Sequence, residues 1–181
     1  SIRKITPDGD VTTIGYGKSI FLKNKEKQLR GQPVEFPLQQ PTSLKFDTEG
    51  RLYIADWEGN SIWRIEKSGE VARFAGTGER GDKDGPRQEA ELFRVNSLAF
   101  HRNGELFFAE SGNRKIKKID TAGQVKTVVS SVTGVLRGAL PIPIGNILDM
   151  EFAEDGSLYF IEANFHVVRK LWLNCDCPLR L

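Results

Sequence analysis

The chain has 181 residues, of which 39% are hydrophobic and 28% are charged, and its formal net charge is +2 at pH 7. This length is enough for one domain with a sizeable core, and the charge is too small to indicate a nucleic-acid or membrane partner by itself. No apolar run approaches the ~18 residues of a membrane-spanning helix, and the N-terminal segment lacks the apolar core of a signal peptide. These features indicate a soluble globular chain whose compartment stays open.

Residues 1–17 predict the last two strands of a unit that recurs further along the chain. Four of their residues fall in register with apolar and turn positions of the later units: Ile2, Ile5, Gly9 and Val11. We therefore expect this unit to be incomplete at its beginning.

The next segment, residues 18–40, predicts a basic connector loop. Between positions 18 and 30 its only acid is Glu26, and its basic residues are Lys18, Lys23, Lys25, Lys27 and Arg30. Because binding residues are often carried by loops, these residues are candidates for contact with a partner. A solvated loop without a binding role is the alternative interpretation.

Three segments then align without gaps, and they define units at about 41–78, 95–131 and 147–173. Leu98 follows Leu44 by 54 residues, and Met150 follows Leu98 by 52. A repeat of this period is typical of solenoids and propellers. The repeat therefore decides the fold class before any single motif does.

Each unit predicts antiparallel strands joined by tight turns. Stretches such as "SLKF" alternate apolar and polar residues, the period of a half-buried strand, whereas runs such as "LYIA" are apolar throughout, as in a strand buried on both faces. "SIWRI" predicts a third strand, and "SGEVARFAG" predicts a turn and a fourth strand. Because one four-stranded sheet cannot bury both its faces alone, such sheets are expected to stack as the blades of a β-propeller do.

Two kinds of structural turn residue recur once in every complete unit. A glycine closes each hairpin between the first and second strands, where a positive φ is expected; these are Gly50, Gly104 and Gly156. An acid ends each second strand; these are Asp56, Glu110 and Glu162. We expect the acids to cap the loop that follows them by accepting its backbone N–H groups.

These residues resemble NHL repeats. "GRLYIADWEGNSIWRI" and "GELFFAESGNRKIKKI" are similar to the pattern G-x-L-Y-V-A-D…N-x-R-I-x-x-I, and "GTGERGDKDGPRQEAELF" resembles the connector of long-linker NHL proteins. The resemblance covers most of residues 1–15 and 41–172. It implies an all-β, NHL-type β-propeller segment over residues 1–174, with about three and a quarter blades and a short tail at 175–181. The third unit has His166 near the expected Asn, so the resemblance does not fix its turn.

The sequence contains no recognisable catalytic or metal-binding set. His101 and His166 lie in different turns, and both are predicted at the surface. "GDKDG" begins like an EF-hand loop, but its twelfth position is Phe93, where a glutamate is needed. Cys175 and Cys177 in the tail supply at most two metal ligands. We therefore predict no enzyme activity, metal or cofactor within this segment.

Calcium in the channel is a further interpretation, because some propellers of wider classes hold it at the starts of the inner strands. The matching positions are Thr42, Asn96 and Leu148, with Asp149 one residue on. Asn96 and Asp149 alone fall short of the six to eight oxygens that calcium takes.

The sequence favours a non-catalytic scaffold that binds a protein or peptide. One alternative is single-stranded RNA binding through a basic face, as in some NHL propellers, to which Arg64, Lys118 and Lys170 would contribute beside the basic loop. The other alternative is a metal-dependent lyase or hydrolase that forms only in a complete propeller.

The predicted arc cannot close by itself. We expect about thirteen strands, whereas an NHL-type ring has about six blades. Either the segment is an excerpt of a longer ring, or a second copy or another partner covers its ends. An open arc would expose apolar side chains such as Leu158 and Phe160.

Overall fold

A computed structural model describes residues 2–16, 34–35, 37–130 and 144–173. These ranges contain strands and no helix, so no helix long and apolar enough to cross a membrane is found among them. The basic residues at 18–30 and both cysteines lie outside the described residues.

In chain order the strands are β1 (Ile2–Ile5), β2 (Val11–Tyr16), β3 (Val34–Glu35), β4 (Pro41–Phe46), β5 (Leu52–Asp56), β6 (Ser61–Ile65), β7 (Val71–Ala75), β8 (Gly85–Pro86), β9 (Val95–Phe100), β10 (Leu106–Glu110), β11 (Lys115–Ile119), β12 (Gln124–Ser130), β13 (Ile147–Phe152), β14 (Leu158–Glu162) and β15 (Val167–Leu171).

The strands form four sheets that follow one another along the chain. The order β4-β5-β6-β7 makes one antiparallel blade, and β9-β10-β11-β12 makes the next, with β8 added at its outer edge. β13, β14 and β15 form a three-stranded blade, and β1 and β2 pair as half of another, with β3 joined in parallel. The predicted all-β fold of four-stranded blades in an unclosed ring is confirmed. The sequence does not predict β3 and β8, because these two-residue strands lie in connectors without a strand period.

The hairpin glycines adopt the backbone conformation that the turn requires. φ is +77° at Gly50, +88° at Gly104 and +79° at Gly156. The N–H of each glycine donates to the carbonyl three residues earlier, at 2.9 to 3.0 Å. Side chains with a Cβ rarely adopt this conformation, which explains why a glycine recurs in each unit.

The core lies between consecutive blades. β5 and β10 are buried along their whole length, because a neighbouring sheet covers each of their faces. The same aromatic contact recurs at both complete junctions, where Tyr53 meets Phe100 and Phe107 meets Phe152 in edge-on pairs with centroids 5.0 Å apart. Such pairs add about 0.5–1.5 kcal/mol beyond the burial of their area.

The inner strands of neighbouring blades are also joined by a repeated hydrogen bond. Ser43 Oγ accepts the N–H of Leu98 at 3.3 Å, and Ser97 Oγ accepts the N–H of Met150 at 3.1 Å. The serines therefore satisfy backbone groups that face the next blade. This bond helps to fix the register of one blade against the next.

The last blade exposes one apolar face, but the residues on that face are not the predicted ones. Leu158 and Phe160 are buried, with 0% and 6% exposure, whereas Tyr159 and Ile161 are 39% and 45% exposed. The expectation that Leu158 and Phe160 are exposed is wrong, because alternate side chains of β14 point to opposite faces and these two point toward the preceding blade. Other exposed apolar side chains in or beside this sheet are Leu148, Phe165, Val167, Val168 and Trp172.

Substitutions on the exposed face and on the buried face of this blade should therefore have different effects. Replacing both Ile161 and Val168 with Thr should reduce self-association and hydrophobic-dye binding with little change in Tm, since both side chains already meet water. Leu158→Ala should instead lower the free energy of unfolding by about 2–5 kcal/mol, because it leaves a cavity. Light scattering, dye fluorescence and thermal melts measure these effects. A wild-type chain that stays monomeric and binds no dye would contradict the exposed-face account.

Candidate binding surface at the loop end of the blades

The recurring acids are buried and accept hydrogen bonds from the backbone that enters each blade. Asp56 accepts the N–H groups of Gln39 and Gln40, and Glu162 accepts the N–H of Gly145 at 2.7 Å. In the middle blade the corresponding bond runs from Phe93 N to Glu110 Oε1 at 3.0 Å. In all three blades the donor lies 17 residues before the acid. We call this bond the carboxylate lock.

A backbone bond reinforces each carboxylate lock. The residue after the acid donates its N–H to a carbonyl of the incoming connector, in the pairs Trp57–Gln40, Ser111–Arg94 and Ala163–Asn146. Each blade is thus held at two adjacent points where its connector passes the end of the second strand. A strand end and a connector that would otherwise separate are joined by partly or fully buried, charge-assisted bonds.

The partners of the acids differ from the expected ones. The acids were expected to cap the loop that follows them, but the N–H groups they accept belong to the connector before the blade. The exception is the second oxygen of Glu110, which accepts Asn113 Nδ2 of the following loop at 2.9 Å. The repeat shows that an acid recurs, but it does not show which distant backbone N–H donates to that acid. The sequence therefore does not predict this partner.

The loop after each acid has the same backbone bend in all three blades. Asn60, Arg114 and His166 occupy matching positions, four residues after the acid, and have φ values of +46°, +53° and +52°. His166 therefore keeps the turn of the other units although Asn is absent. The departure from the repeat pattern changes the side chain and not the conformation.

The carboxylate lock predicts a large effect from a very small change. Asp56→Asn should lower the free energy of unfolding by about 2–3 kcal/mol, because hydrogen bonds to a buried charge are lost and an amide donor faces two N–H groups. Glu58→Gln, an exposed neutralisation in the adjacent loop, is the matched control and should change stability by less than about 0.5 kcal/mol. Denaturant melts measure both. Equal stability of the two variants would show that the lock does not hold the blade.

A buried lysine ties the connector of the middle blade to its sheet. The side chain of Lys117 is 0% exposed, and its Nζ lies 2.9 Å from Asp82, 3.1 Å from Asp84 and 3.4 Å from Glu110. Burial opposes its charge, but the three carboxylates outweigh burial and raise the pKa of Lys117 above its ordinary value. The two aspartates belong to "GDKDG", so the acids of this segment serve an internal ion cluster.

Removal of the lysine should give a pH-dependent loss of stability. Lys117→Met leaves the buried Glu110 without its cation, and we expect a loss of about 3–5 kcal/mol at neutral pH. Burial already raises the pKa of Glu110, so Glu110 protonates on acidification and relieves the variant. Asp82 has a pKa that burial would raise but that Lys115 and Lys117 lower, so the wild type loses part of this stabilisation as pH falls.

The Glu110 effect should narrow the difference in stability between wild type and variant as pH falls toward about 4.5, the ordinary pKa of glutamate, and the Asp82 effect should narrow it further below about 4. Denaturant melts at several pH values measure it. A difference that stays constant with pH would contradict the ion cluster. Lys126→Met, which removes an exposed lysine paired with Asp120, serves as the control.

The basic residues predicted on the third strands are balanced by acids. Arg64, Lys118 and Lys170 occupy equivalent positions, each opposite an aromatic residue of the second strand. Their acidic partners, in the same order, are Glu66, Glu105 and Asp155. These three residues therefore do not form an uncompensated basic face. The contact role predicted for the basic loop stays a prediction.

The two histidines have different environments. His101 is only 9% exposed, and its ring lies 4.9 Å from that of Phe152, so its predicted surface position is wrong and its role is packing. His166 is exposed. Asn96, considered as a calcium ligand, donates its Nδ2 to the carbonyl of Ile147 at 2.5 Å. Over the described ranges, no group of three or more His, Cys, Asp or Glu side chains is placed to hold a metal ion.

A cleft of about 710 Å³ lies between the two four-stranded blades at their hairpin end. Its walls include Arg51, whose Nε lies 2.6 Å from Asp47, and Arg87, whose guanidinium lies 4.3 Å from the centre of the Phe74 ring. The cleft therefore has mixed charge, and Arg51 and Arg87 of its walls are held by neighbours within it.

The opposite, loop end carries a stack of alternating arginines and aromatic rings. Arg80 Cζ lies 4.1 Å from the centre of the Phe93 ring, and Arg94 Cζ lies 5.2 Å from the same ring and 4.2 Å from that of Trp57. Both arginines are exposed, and both rings are half-buried. We call these four residues the arginine ladder. It spans the junction between two blades, and the sequence does not reveal it because its members come from separate segments.

The arginine ladder is fixed by its surroundings. Trp57 Nε1 donates to Ser111 Oγ at 2.9 Å, and that hydroxyl donates to the carbonyl of Arg94 at 3.1 Å. The N–H of Arg94 donates to Asn60 Oδ1 at 3.0 Å. Phe93 packs so closely on Gly112 that a Cβ there would lie 2.1 Å from its ring. Little ordering remains to be done when a ligand binds such a surface.

Arg94 also has an unusual backbone. Its φ is +57°, a conformation that costs a residue with a side chain about 1 kcal/mol. Among the described residues, the other non-glycine positions with positive φ are the three matching loop residues, so Arg94 is outside the repeat pattern. Strain of this kind persists where surrounding bonds determine the conformation, and it is often found at functional sites.

Comparison with known proteins supports the fold assignment. No family model matches the chain. The chain is 34% identical over 91 residues to Protein SUPPRESSOR OF QUENCHING 1, chloroplastic, of Arabidopsis thaliana, a match that covers 50% of this chain and 9% of that protein. It is 29% identical over 152 residues to NHL repeat-containing protein 2 of Gallus gallus, covering 76% of this chain and 21% of that protein. The chain thus spans less than a quarter of either relative.

Solved structures share the fold at low identity. A Bacteroides thetaiotaomicron protein of unknown function superposes with a TM-score of 0.61 at 20% identity, covering 72% of this chain and 34% of that one. An auxiliary nutrient binding protein of the same species gives 0.60 at 16% identity, with 70% and 36% covered. A gluconolactonase of Xanthomonas campestris gives 0.53 at 18% identity, with 71% and 37% covered.

These neighbours include an enzyme and a binding protein, so the fold does not decide between the two functions. The sheet order, the recurring motifs and the comparisons together define the class: the chain folds as an incomplete β-propeller, and its repeats are similar to NHL repeats.

Proposed function

We propose that the chain is a non-catalytic NHL-type scaffold that binds a protein or peptide at the loop end of its blades. The observation that carries this proposal is the arginine ladder, in which exposed arginines are stacked on rings held by hydrogen bonds and close packing. Trp and Arg are enriched among the few residues that dominate the binding energy of protein interfaces. A rigid surface of these residues at a blade junction has the composition of a binding surface.

The recurring acids support a scaffold over an enzyme. A general acid or base must reach the substrate proton that it transfers. Asp56, Glu110 and Glu162 are at most 1% exposed, and all three accept backbone N–H groups of the connectors. Their recurrence is thereby explained by the fold, without a role in catalysis.

The ends of the arc need a covering surface in addition to this partner. Leu44 and Phe46 on the inner strand β4 are 50% and 62% exposed, whereas the equivalent Leu98 is fully buried. Further blades of a longer chain, or a second copy, would cover these side chains as the middle blade is covered. Such a surface is structural and is separate from the loop end.

Selection from a displayed random-peptide library tests the proposed function. We expect the wild-type chain to enrich peptides whose binding weakens about 10-fold or more in Trp57→Ala. Trp172→Ala is the matched control, because Trp172 is 54% exposed and lies beside the exposed face of the last blade, away from the loop end. Affinity is measured by titration of labelled peptides, and thermal melts check the fold of both variants.

Failure to enrich any peptide, or equal losses in both variants, would contradict a peptide site at the loop end. Metal-dependent turnover of a panel of lactones by the chain would favour the enzyme alternative instead.

A further inference from the structure

We propose that the arginine ladder recognises the carboxylates of an acidic peptide segment, with Arg80 and Arg94 as the two anchors. This inference rests on the proposed function, and it names the chemistry of the partner. It depends on three features: the charges of the two arginines, the geometry of the stack and the occupation of its ring faces.

The two anchors carry charge that the described residues do not neutralise. No described carboxylate lies within 4.0 Å of either guanidinium, whereas two other cations of the same blades are paired, Arg64 with Glu66 and Lys118 with Glu105. Both anchors are nevertheless exposed on a protein of nearly balanced charge. An external carboxylate would supply the missing partner.

The stack prepares the guanidinium groups for carboxylate binding. A guanidinium lying over an aromatic ring keeps its in-plane N–H donors available, and this planar fork matches both oxygens of a carboxylate. Arg94 is further held at its backbone by Asn60 and Ser111. Less side-chain freedom is lost on binding, so each bond contributes more to affinity.

The arginines that lie over these rings favour a peptide over a single-stranded nucleic acid. Single-stranded RNA binds by stacking bases on open aromatic faces along a basic groove. Here Phe93 has arginines 4.1 Å and 5.2 Å from its centre, and Trp57 has Arg94 at 4.2 Å. The exposed acids Glu58 and Glu79 are the sequence neighbours of Trp57 and Arg80. They lower the net positive charge near the ladder, which disfavours a continuous polyanion more than a peptide with separated carboxylates.

Fluorescence anisotropy with two labelled peptides tests the inference. One peptide alternates Glu and Gly, and the other alternates Gln and Gly. The ladder variant combines Arg80→Gln with Arg94→Asn, since Asn tolerates the left-handed backbone. The control variant combines Lys67→Gln with Arg102→Gln, which removes two exposed charges from the hairpin end of the sheets.

We expect the wild type and the control variant to bind the Glu peptide alike, within about 2-fold, and the ladder variant to bind it about 10-fold or more weakly. The Gln peptide should bind none of them measurably. The Tm of the ladder variant should equal that of the wild type, which separates a lost contact from a lost fold.

Three results would overturn the inference: equal affinity of wild type and ladder variant for the Glu peptide, equal binding of the Gln and Glu peptides, or tighter binding of an oligouridylate RNA than of the Glu peptide.

Peptides selected from the random library distinguish the two proposals. If those peptides still bind the ladder variant at full strength, the proposed function stands and the acidic partner is wrong. If no peptide of either kind binds, both proposals fail.

Discussion

The structure depends on a buried carboxylate at the end of each second strand. In each of the three blades that have one, the carboxylate accepts the backbone N–H of a residue 17 positions earlier, where the connector enters the blade. A connector has no sheet partners of its own at this point, so its N–H, which is partly or fully buried, would otherwise lose hydrogen bonds that water supplied in the unfolded chain. The carboxylate lock meets that requirement with a charged acceptor, and it fixes the connector against the blade.

The same bond positions the candidate binding surface. Glu110 holds the backbone of Phe93, and the next residue along its strand end, Ser111, holds the carbonyl of Arg94. Ser111 then binds the indole of Trp57 from the preceding blade. A bond that stabilises one blade thereby sets the spacing of rings and arginines across a junction. Fold and proposed function meet at this acid, which is why a structural carboxylate lies beneath an exposed binding surface.

Sequence reasoning predicts the parts of the structure that repeat. The 54- and 52-residue spacing and the turn glycines are sufficient for the blades, because hairpins are local and their side-chain pattern is written in adjacent residues. The residues of β14 predicted to be exposed lie one position away from those that are exposed in the structure. A continuous apolar run does not show which face of the strand will lack a neighbouring sheet. The arginine ladder could not be predicted at all. Its residues are brought together by the packing of two blades and by a left-handed backbone at Arg94, neither of which leaves a period in the sequence.

Amide hydrogen exchange measured by NMR tests the carboxylate lock most directly. The N–H groups of Phe93 and Gly145 lie outside the strands, yet each donates to a buried carboxylate. Loop amides without such a partner exchange readily, whereas amides bonded in a core open only with larger unfolding events. We predict that both amides exchange as slowly as those of β5 and β10. Exchange as fast as that of Glu58, an exposed loop residue of the same end, would contradict the account.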